Sequence, residues 1–216
     1  MSDALKPALD CVIDVSHSNG QIDWPSVDPA IVLVFIKASQ GSHFHDPMFE
    51  KNLAGCLDTG RMVVPYHFLD NSDPDAQIKN FEAHLQQGKP LALDWEGRSA
   101  HTAIAEDVEY IGMQIADDMG ASQIVGYWGI TGSSPGEPTE IMKTWTLWTP
   151  RYRLSEAQSF EEVEQAGFGG LVRSLFWQYT EHGRVAGVLG DVDRSIWRGT
   201  LDELKAWYNS GSTASS

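Results

Sequence analysis

The chain has 216 residues, 42% of them hydrophobic, and 15 basic against 30 acidic residues give it a formal net charge of −15 at pH 7. This acidic balance argues against a general nucleic-acid binder and against docking on an anionic membrane, since both need a basic face. No apolar run approaches the roughly 18 residues of a membrane span, and the N-terminal stretch lacks the pattern of a secretory signal peptide. Cys11 and Cys56 are too few for a disulfide scaffold, and although these two could pair with each other, we expect two free, buried thiols.

Short runs of β-branched and aromatic residues alternate along the chain with segments whose apolar residues recur at helical spacing. The runs predict strands at residues 11–15, 31–36, 62–68, 91–95, 123–128, 144–148 and 175–179. The segments predict helices at residues 47–59, 73–87, 103–119 and 200–208. This alternation is typical of a parallel sheet covered on both faces, either a barrel or a doubly wound sheet. We expect one domain over residues 1–209, followed by a flexible tail of small polar residues at 210–216.

The predicted strands end in polar or aromatic residues, although the runs before them are apolar. These closing residues are Asp14, Lys37, Tyr66, His67, Asp94, Glu96, Tyr127, Trp148, Trp177 and Gln178. Ligands of parallel α/β folds bind at the carboxyl ends of the strands. A charge at the end of an apolar strand also costs desolvation free energy unless it is paired or used. The sequence therefore predicts a site on one rim of the sheet.

Asp94 and Glu96, in the sequence LALDWE, form the sharpest local feature. Two residues apart on a strand, their side chains point to the same face, with Cα atoms roughly 6–7 Å apart. Two carboxylates this close repel each other, so one of them keeps its proton to higher pH. Hydrolysis of a glycosidic bond uses such a pair, one carboxyl group as a protonated acid and the other as an ionised stabiliser.

Two other functions fit much the same residues. A divalent cation held by Asp14, His67, Asp94, Glu96 and Asp193 on a barrel rim would make the chain a metal-dependent phosphodiesterase or amidohydrolase. A glycan-binding module with a decayed catalytic site is the third hypothesis, and the intact acidic pair argues against it. Several tryptophans suit stacking on sugar rings and core packing equally well, namely Trp24, Trp95, Trp148 and Trp177.

A series of short motifs runs through nearly the whole chain, from about residue 12 to residue 199. In order they are Asp14-Val15-Ser16, Gly20-Gln21-Ile22-Asp23-Trp24, Phe35-Ile36-Lys37-Ala38-Ser39-Gln40-Gly41, Tyr66-His67-Phe68, Asp94-Trp95-Glu96, Leu147-Trp148, Trp177-Gln178-Tyr179 and Val192-Asp193. In this order and spacing they resemble the glycoside hydrolase family 25 lysozymes, the Chalaropsis-type N-acetylmuramidases of fungi, bacteria and phage endolysins. Residues 129–143 and 155–170 depart from that family's pattern, and Gln40 stands where many members carry Glu.

The resemblance implies both a fold and an activity. The fold is a single α/β domain, a flattened, irregular (β/α) barrel of the TIM-barrel type with an acidic groove at the carboxyl ends of its strands. The activity is cleavage of the β-1,4 bond between N-acetylmuramic acid and N-acetylglucosamine in peptidoglycan. By matching position, Glu96 is the general acid/base, and Asp94 supports the reacting sugar, through its N-acetyl group or by direct attack. The expected substrate-binding residues are Asp14, Asp193, Tyr66, His67, Trp177, Gln178 and Trp148.

The expected partners follow from the same resemblance together with the composition. The glycan strands of bacterial peptidoglycan are the substrate, and neither a cofactor nor a metal is implied. We expect a monomer that does not bind nucleic acid and does not insert into a membrane. Without a classical signal peptide, the expected routes to the cell wall are release through a phage pore and a non-classical secretion pathway.

Overall fold

The structure, a computed structural model, describes residues 8–97, 100–129, 135–152 and 174–210. Its strands are β1 (Ala8–Val15), β2 (Leu33–Gln40), β3 (Phe44–His45), β4 (Met62–Phe68), β5 (Leu91–Asp94), β6 (Ile124–Tyr127), β7 (Thr146–Pro150), β8 (Ser174–Gly183) and β9 (Val192–Arg198). Its α-helices are α1 (Phe49–Asp58), α2 (Pro74–Glu82), α3 (Ala105–Met119) and α4 (Leu201–Asn209).

The strands of the described residues form one sheet in the order β1-β9-β8-β7-β6-β5-β4-β2-β3, and a β1–β2 pairing closes 8 of them into a barrel. Neighbours from β1 through β2 and β4 to β8 are parallel, whereas β9 is antiparallel to both β8 and β1. The barrel confirms the expected fold class, but the fully parallel sheet expected from strand–helix alternation is wrong at β9 and at the short strand β3, which is antiparallel to β2. Residues 184–191 join β8 to β9 directly, which is too short for the crossover that a parallel pair needs.

Each predicted strand and each predicted helix overlaps an observed element, and the ends follow local signals. The side chain of Asp73 caps α2 by accepting a hydrogen bond from the Ala76 N–H. Helix α3 stops at Gly120, whose φ of 56° lies in the left-handed region that glycine adopts readily. Helix α2 ends at Glu82, five residues before its predicted end, and β3 and β9 were not predicted.

Apolar side chains form two separate cores, because successive residues of each strand face opposite sides. The core inside the barrel contains Val12, Leu33, Phe35, Val64, Tyr66, Ala92, Val125, Tyr127, Trp148, Phe176 and Trp197. The core between the barrel and its helices contains the alternate strand residues, such as Ile13, Val34 and Leu93, together with Phe81 and Ile111 from the helices.

Helix α4 closes the end of the barrel at which the parallel strands begin. Leu204 is fully buried, and the ring centroid of Trp207 lies 5.0 Å from that of Phe176. Trp207 Nε1 also donates a hydrogen bond to Thr146 Oγ1 at the start of β7, at 3.2 Å. With this end filled, the carboxyl ends of the parallel strands form the open rim.

Cys11 and Cys56 are free and buried, as expected, and they lie in different cores. Within the ranges described, no helix is long and apolar enough to cross a membrane. Of the predicted tail, residues 211–216 lie outside the described residues, as does all of the segment 155–170.

Candidate active site

A cleft of about 490 Å³ opens at the carboxyl ends of the parallel strands. Its lining residues are Asp14, Tyr66, Asp94, Glu96, Tyr127, Trp148, Pro150, Arg151, Tyr152, Gln178, Glu181 and Asp193. Carboxyl groups and tyrosine rings predominate in this lining, and they come from β1, β4, β5, β6, β8 and β9 and from the residues that follow β5 and β7. The rim predicted from the strand ends is therefore an acidic groove of the size that holds a small ligand or part of a chain.

Strand β5 and the residues after it deliver Asp94 and Glu96 to the same side. The Trp95 N–H donates to the Tyr127 carbonyl at 2.9 Å, so the extended pairing continues beyond Asp94. Trp95 therefore turns away from the cleft, where its buried Nε1 donates to the Ala103 carbonyl at 2.9 Å. Asp94 is buried at the floor of the cleft and Glu96 is exposed at its mouth. Asp94 Oδ1 is buried and has no hydrogen-bond partner among the described residues.

Both members of the pair hold their protons more tightly than free carboxyl groups. Burial raises the pKa of Asp94 well above its usual range, and the charge of Glu96 adds to this while Lys37 opposes it. Partial desolvation raises the pKa of Glu96, Lys37 opposes that rise, and the charge of Asp193 adds to it. The shift of Glu96 is the smaller of the two because this side chain reaches solvent. At least one proton thus stays on the pair at a pH where isolated carboxyl groups are ionised.

Asp14 and Asp193 form a second carboxyl pair, opposite each other on the antiparallel strands β1 and β9. Burial raises the pKa of Asp14 well above its usual range, and the negative charge of Asp193 adds to the rise. Burial also raises the pKa of Asp193, but its hydrogen bond with Asp14 works in the opposite direction. Both directions favour a proton shared between the two carboxyl groups.

Gln178 connects this second pair to two tyrosines. Its Nε2 donates to Asp14 Oδ2 at 2.7 Å. Its Oε1 accepts hydrogen bonds from the hydroxyl group of Tyr127, at 2.7 Å, and from that of Tyr152. Because two hydroxyl donors occupy the amide oxygen, the amide nitrogen must face the carboxyl group. The network fixes the position of Asp14 from β6, β8 and the end of β7.

Lys37 is the cation that acts on the Asp94–Glu96 pair, although it does not line the cleft. Its Nζ donates to Gln40 Oε1 at 2.8 Å and lies 4.8 Å from the centroid of the Phe68 ring. Burial lowers the pKa of Lys37, and Asp94 contributes most to opposing that shift. Since Gln40 is neutral, it leaves the positive charge of Lys37 available to the groove acids.

The structure brings most of the predicted site residues together. Those that line the cleft are Glu96, Asp94, Asp14, Asp193, Tyr66, Gln178 and Trp148. His67 and Trp177 do not line it. His67 is buried, with Nδ1 2.8 Å from Ser39 Oγ and Nε2 3.2 Å from Gln77 Oε1, and burial lowers its pKa to about 4. Trp177 is buried as well, and its Nε1 donates to the Arg151 carbonyl at 3.1 Å.

The tryptophans that suited either sugar stacking or packing, Trp24, Trp95, Trp148 and Trp177, are all buried. Trp148 illustrates this best, because it lines the cleft and also stacks on Phe35 with ring centroids 4.1 Å apart. Its Nε1 donates to Ser195 Oγ at 3.1 Å. These contacts favour the packing role.

Several lining residues were not predicted as site residues, namely Tyr127, Pro150, Arg151, Tyr152 and Glu181. Tyr127 could have been predicted as a site residue, because it lies at the end of a predicted strand. Arg151 and Tyr152 directly follow β7, beyond the predicted end at residue 148. Glu181 lies on β8, which runs to Gly183 because it pairs with the unpredicted strand β9.

The donor set does not fit the metal-hydrolase alternative. Within the described ranges, no group of three or more His, Cys, Asp or Glu side chains is arranged to hold a metal ion. That alternative also relied on His67, whose two ring nitrogens face Ser39 and Gln77 outside the cleft lining.

Comparisons with known proteins agree with this geometry. The sequence model of glycosyl hydrolases family 25 matches residues 13–188. The chain is 27% identical to Lysozyme M1 of Streptomyces globisporus, over 91% of this chain and 70% of that protein. Its fold is similar to that of a bacterial lysozyme from Streptomyces coelicolor, with a TM-score of 0.71 at 23% identity over 97% of this chain and 100% of that one. A family 25 glycosyl hydrolase from Bacillus anthracis has the same TM-score of 0.71, at 20% identity over 96% of both chains.

Proposed function

The chain belongs to glycosyl hydrolase family 25 and is a peptidoglycan hydrolase with muramidase activity, and we propose that Glu96 and Asp94 carry out its reaction. The bond cut is then the β-1,4 bond between N-acetylmuramic acid and N-acetylglucosamine. The observation that carries the assignment is the pair of carboxyl groups on one face of the cleft, one buried with a free oxygen and one at the mouth. Cleavage of a glycosidic bond needs two such groups.

In the proposed reaction, Glu96 donates its proton to the glycosidic oxygen as the bond from that oxygen to the anomeric carbon breaks. Asp94 Oδ1 accepts a hydrogen bond from the acetamido N–H of the muramyl sugar. The acetamido carbonyl oxygen is thereby held against the anomeric carbon and forms a bond to it. Water then attacks the anomeric carbon, gives a proton to the Glu96 carboxylate and releases the acetamido group. Glu96 is protonated again and the new reducing end is on muramic acid.

The two roles require Asp94 to be charged while Glu96 is protonated, yet burial in the protein raises the pKa of Asp94 more than that of Glu96. Substrate binding reverses this order. The acetamido N–H stabilises the charged form of Asp94, and Lys37 already favours that form. A sugar chain lying across the mouth also excludes water from Glu96 and raises its pKa further.

The second carboxyl pair and its network have a binding role in this proposal. Asp14, held by Gln178, and Asp193 face the cleft from the side opposite β5. Carboxyl oxygens accept hydrogen bonds from sugar hydroxyl and acetamido N–H groups. With Tyr66, they are assigned to hold the sugars next to the reacting bond, whereas His67 and Trp177 are assigned no contact.

We further propose that the protein acts on the cell wall as a monomer without a cofactor. The carboxyl pair supplies both the acid and the stabilising charge, so the proposed reaction needs no further group. Membrane insertion and nucleic-acid binding have no part in it, which agrees with the net charge of −15.

The test is digestion of purified peptidoglycan by the unaltered protein and by Glu96→Gln, followed by borohydride reduction and mass spectrometry of the fragments. We expect reduced muramic acid ends from the unaltered protein and a loss of at least about 100-fold in rate for Glu96→Gln. Glu106→Gln, an exposed site on α3, is the matched control and retains full activity. Reduced glucosamine ends would reassign the bond, and a Glu96→Gln variant with more than a few per cent of the rate would refute the acid/base role.

A further inference from the structure

Arg151 is the one basic residue among the described residues that line the cleft. The charged groups around it are carboxyl groups from β1, β5, β8 and β9 and from the residues after β5. The substrate of the proposed function also carries carboxylates, on the lactyl group where muramic acid has no peptide and on the peptide stem where one is attached. An acidic groove repels such a substrate unless a cation meets it.

Part of the Arg151 guanidinium has no partner among the described residues. Its Nη1 is buried and has no hydrogen-bond partner. In the part of the chain that the structure describes, Arg151 takes part in none of the ion pairs. A buried N–H group without a partner is costly, and such groups in a cleft commonly bind a ligand.

The backbone of Arg151 is held firmly at this place. Its N–H donates to the Gln178 carbonyl at 2.9 Å, and its own carbonyl accepts from Trp177 Nε1 at 3.1 Å. The next residue, Tyr152, donates its hydroxyl group to the side chain of Gln178. Both sides of Arg151 are thus tied to β8, so the side chain starts from a fixed point on the cleft wall.

The strand register shows how far Arg151 lies from the reacting carboxyl groups. Asp94 pairs with Tyr127 on β6, and Tyr127 pairs with Trp148 on β7. Arg151 comes three residues after Trp148, which is roughly 10 Å along an extended chain. Glu96 comes two residues after Asp94, so Arg151 lies about one residue beyond the level of Glu96, on the cleft wall two strands away from the catalytic pair.

We propose that Arg151 binds a carboxylate on the lactyl side of N-acetylmuramic acid. This contact makes the enzyme select a muramyl sugar over a neutral sugar at the position whose glycosidic bond is cut. This inference rests on the proposed function. The planar guanidinium offers paired N–H donors that match the two oxygens of a carboxylate. Two groups in the substrate supply that chemistry, the free lactyl carboxylate of unsubstituted muramic acid and the carboxylates of the peptide stem.

The kinetic test uses four substrates and measures the yield of reduced muramic acid ends. They are intact peptidoglycan, glycan strands stripped of peptide by an amidase, and each of these after carbodiimide coupling to methylamine, which makes the carboxyl groups neutral. For the unaltered protein we expect kcat/KM to fall about 10- to 100-fold on neutralisation, the range for one hydrogen-bonded charge. If neutralisation lowers kcat/KM for intact peptidoglycan only, the ligand of Arg151 is a carboxylate of the peptide. If it also lowers kcat/KM for the stripped strands, the ligand is the lactyl carboxylate.

Variants separate recognition from a structural role. Arg151→Gln is expected to lose the preference for charged substrates and to cleave neutral ones within about twofold of the unaltered protein. Arg151→Lys retains part of the preference, because it keeps the charge but not the paired donors. Arg184→Gln, which removes an exposed arginine paired with Asp191 outside the cleft, is the matched control and keeps the full preference. Equal losses on charged and neutral substrates for Arg151→Gln would overturn the proposal.

A binding measurement keeps the inference testable if the cleavage assignment fails. N-acetylmuramic acid and its methylamide are titrated calorimetrically into Glu96→Gln and into the double variant Glu96→Gln/Arg151→Gln. We expect the acid to bind about 10-fold or more tightly than the amide to Glu96→Gln, and equally to the double variant. Equal binding of acid and amide to Glu96→Gln would refute the carboxylate site, whatever the digestion experiment shows.

Discussion

His67 and Glu96 show how burial decides protonation at single residues. His67 is enclosed by Ser39, Gln77 and the ring of Phe81, whose centroid lies 5.2 Å away, and burial keeps the imidazole neutral. The same loss of solvent keeps protons on the acids of the cleft. Burial thus favours the neutral form of the imidazole and of the carboxyl groups alike. It lowers the pKa of His67 and raises the pKa of the acids, so their effects on stability change with pH in opposite directions.

For His67 we expect a loss of stability in acid. Its folded pKa of about 4 lies below the ordinary 6.5, so between these values the unfolded chain binds a proton that the folded chain does not. This contribution falls by about 3 kcal/mol as pH drops from 6.5 to 4. Groove acids with raised pKa values gain stability over the same fall, so the comparison must be with a variant. Urea unfolding of His67→Gln should show a stability gap to the unaltered protein that narrows by about that amount from pH 7 to pH 4. A constant gap would contradict the expectation.

For Glu96 we expect a bell-shaped pH profile of kcat/KM, with the alkaline limb set by loss of its proton. Because Asp193 contributes to the raised pKa of Glu96, Asp193→Asn should move that limb to lower pH. Asp191→Asn is the control, since Asp191 pairs with Arg184 outside the cleft lining and should leave the limb in place. Initial rates on solubilised peptidoglycan from pH 4 to 9 decide this. A limb that Asp193→Asn leaves unmoved would show that Asp193 does not act on Glu96.

At the scale of elements, helix α4 serves stability and stands apart from the chemistry. Thr200 and Glu203 form a capping box at its start. Leu204 and Trp207 fill the end of the barrel at which the parallel strands begin. The cleft lies at the other end. Damage to this helix should therefore change the free energy of unfolding and leave catalysis unaltered.

We expect Thr200→Ala to lower the free energy of unfolding by about 1 kcal/mol, the usual cost of losing an N-cap side chain. The exposed Lys205→Ala on the same helix should change it by less than about 0.5 kcal/mol. Thermal unfolding and peptidoglycan digestion at 25 °C, run on the same samples, separate stability from activity. A fall in kcat/KM at a temperature where Thr200→Ala is fully folded would link α4 to the site.

At the scale of the whole molecule, the net charge of −15 opposes the approach to bacterial walls, which are themselves anionic. Salt screens this repulsion, with a Debye length of about 10 Å at 0.1 M. We expect lysis of whole cells to speed up between about 10 and 100 mM NaCl, while cleavage of short soluble fragments changes little. Turbidity assays on cells and fragment analysis by mass spectrometry give the two rates. Lysis that does not respond to salt would contradict this view of long-range repulsion.

The patterns of the sequence determined an α/β sheet, the order of the predicted elements and the rim on which the site lies, and the choice of a barrel over a doubly wound sheet came from the resemblance to family 25. Apolar periodicity and the polar residues that close the strands are local patterns, and both can be identified from the sequence without knowledge of the fold. Asp94 and Glu96 were identifiable for the same reason, because two residues of separation on one strand guarantee a shared face.

The tertiary structure alone decided which side of the barrel each rim residue faces. Tyr66 and Gln178 line the cleft while their chain neighbours His67 and Trp177 do not, and the sequence marked all four alike. Successive side chains of a strand face opposite sides, so either of two alternating sets could face the barrel interior. Packing against the neighbouring strands decides which set does. Strand β9 was also beyond local signals, because an antiparallel partner is defined by its pairing with β1 and β8. That pairing brings Asp193 to Asp14 from the far end of the chain, which no local pattern of residues determines.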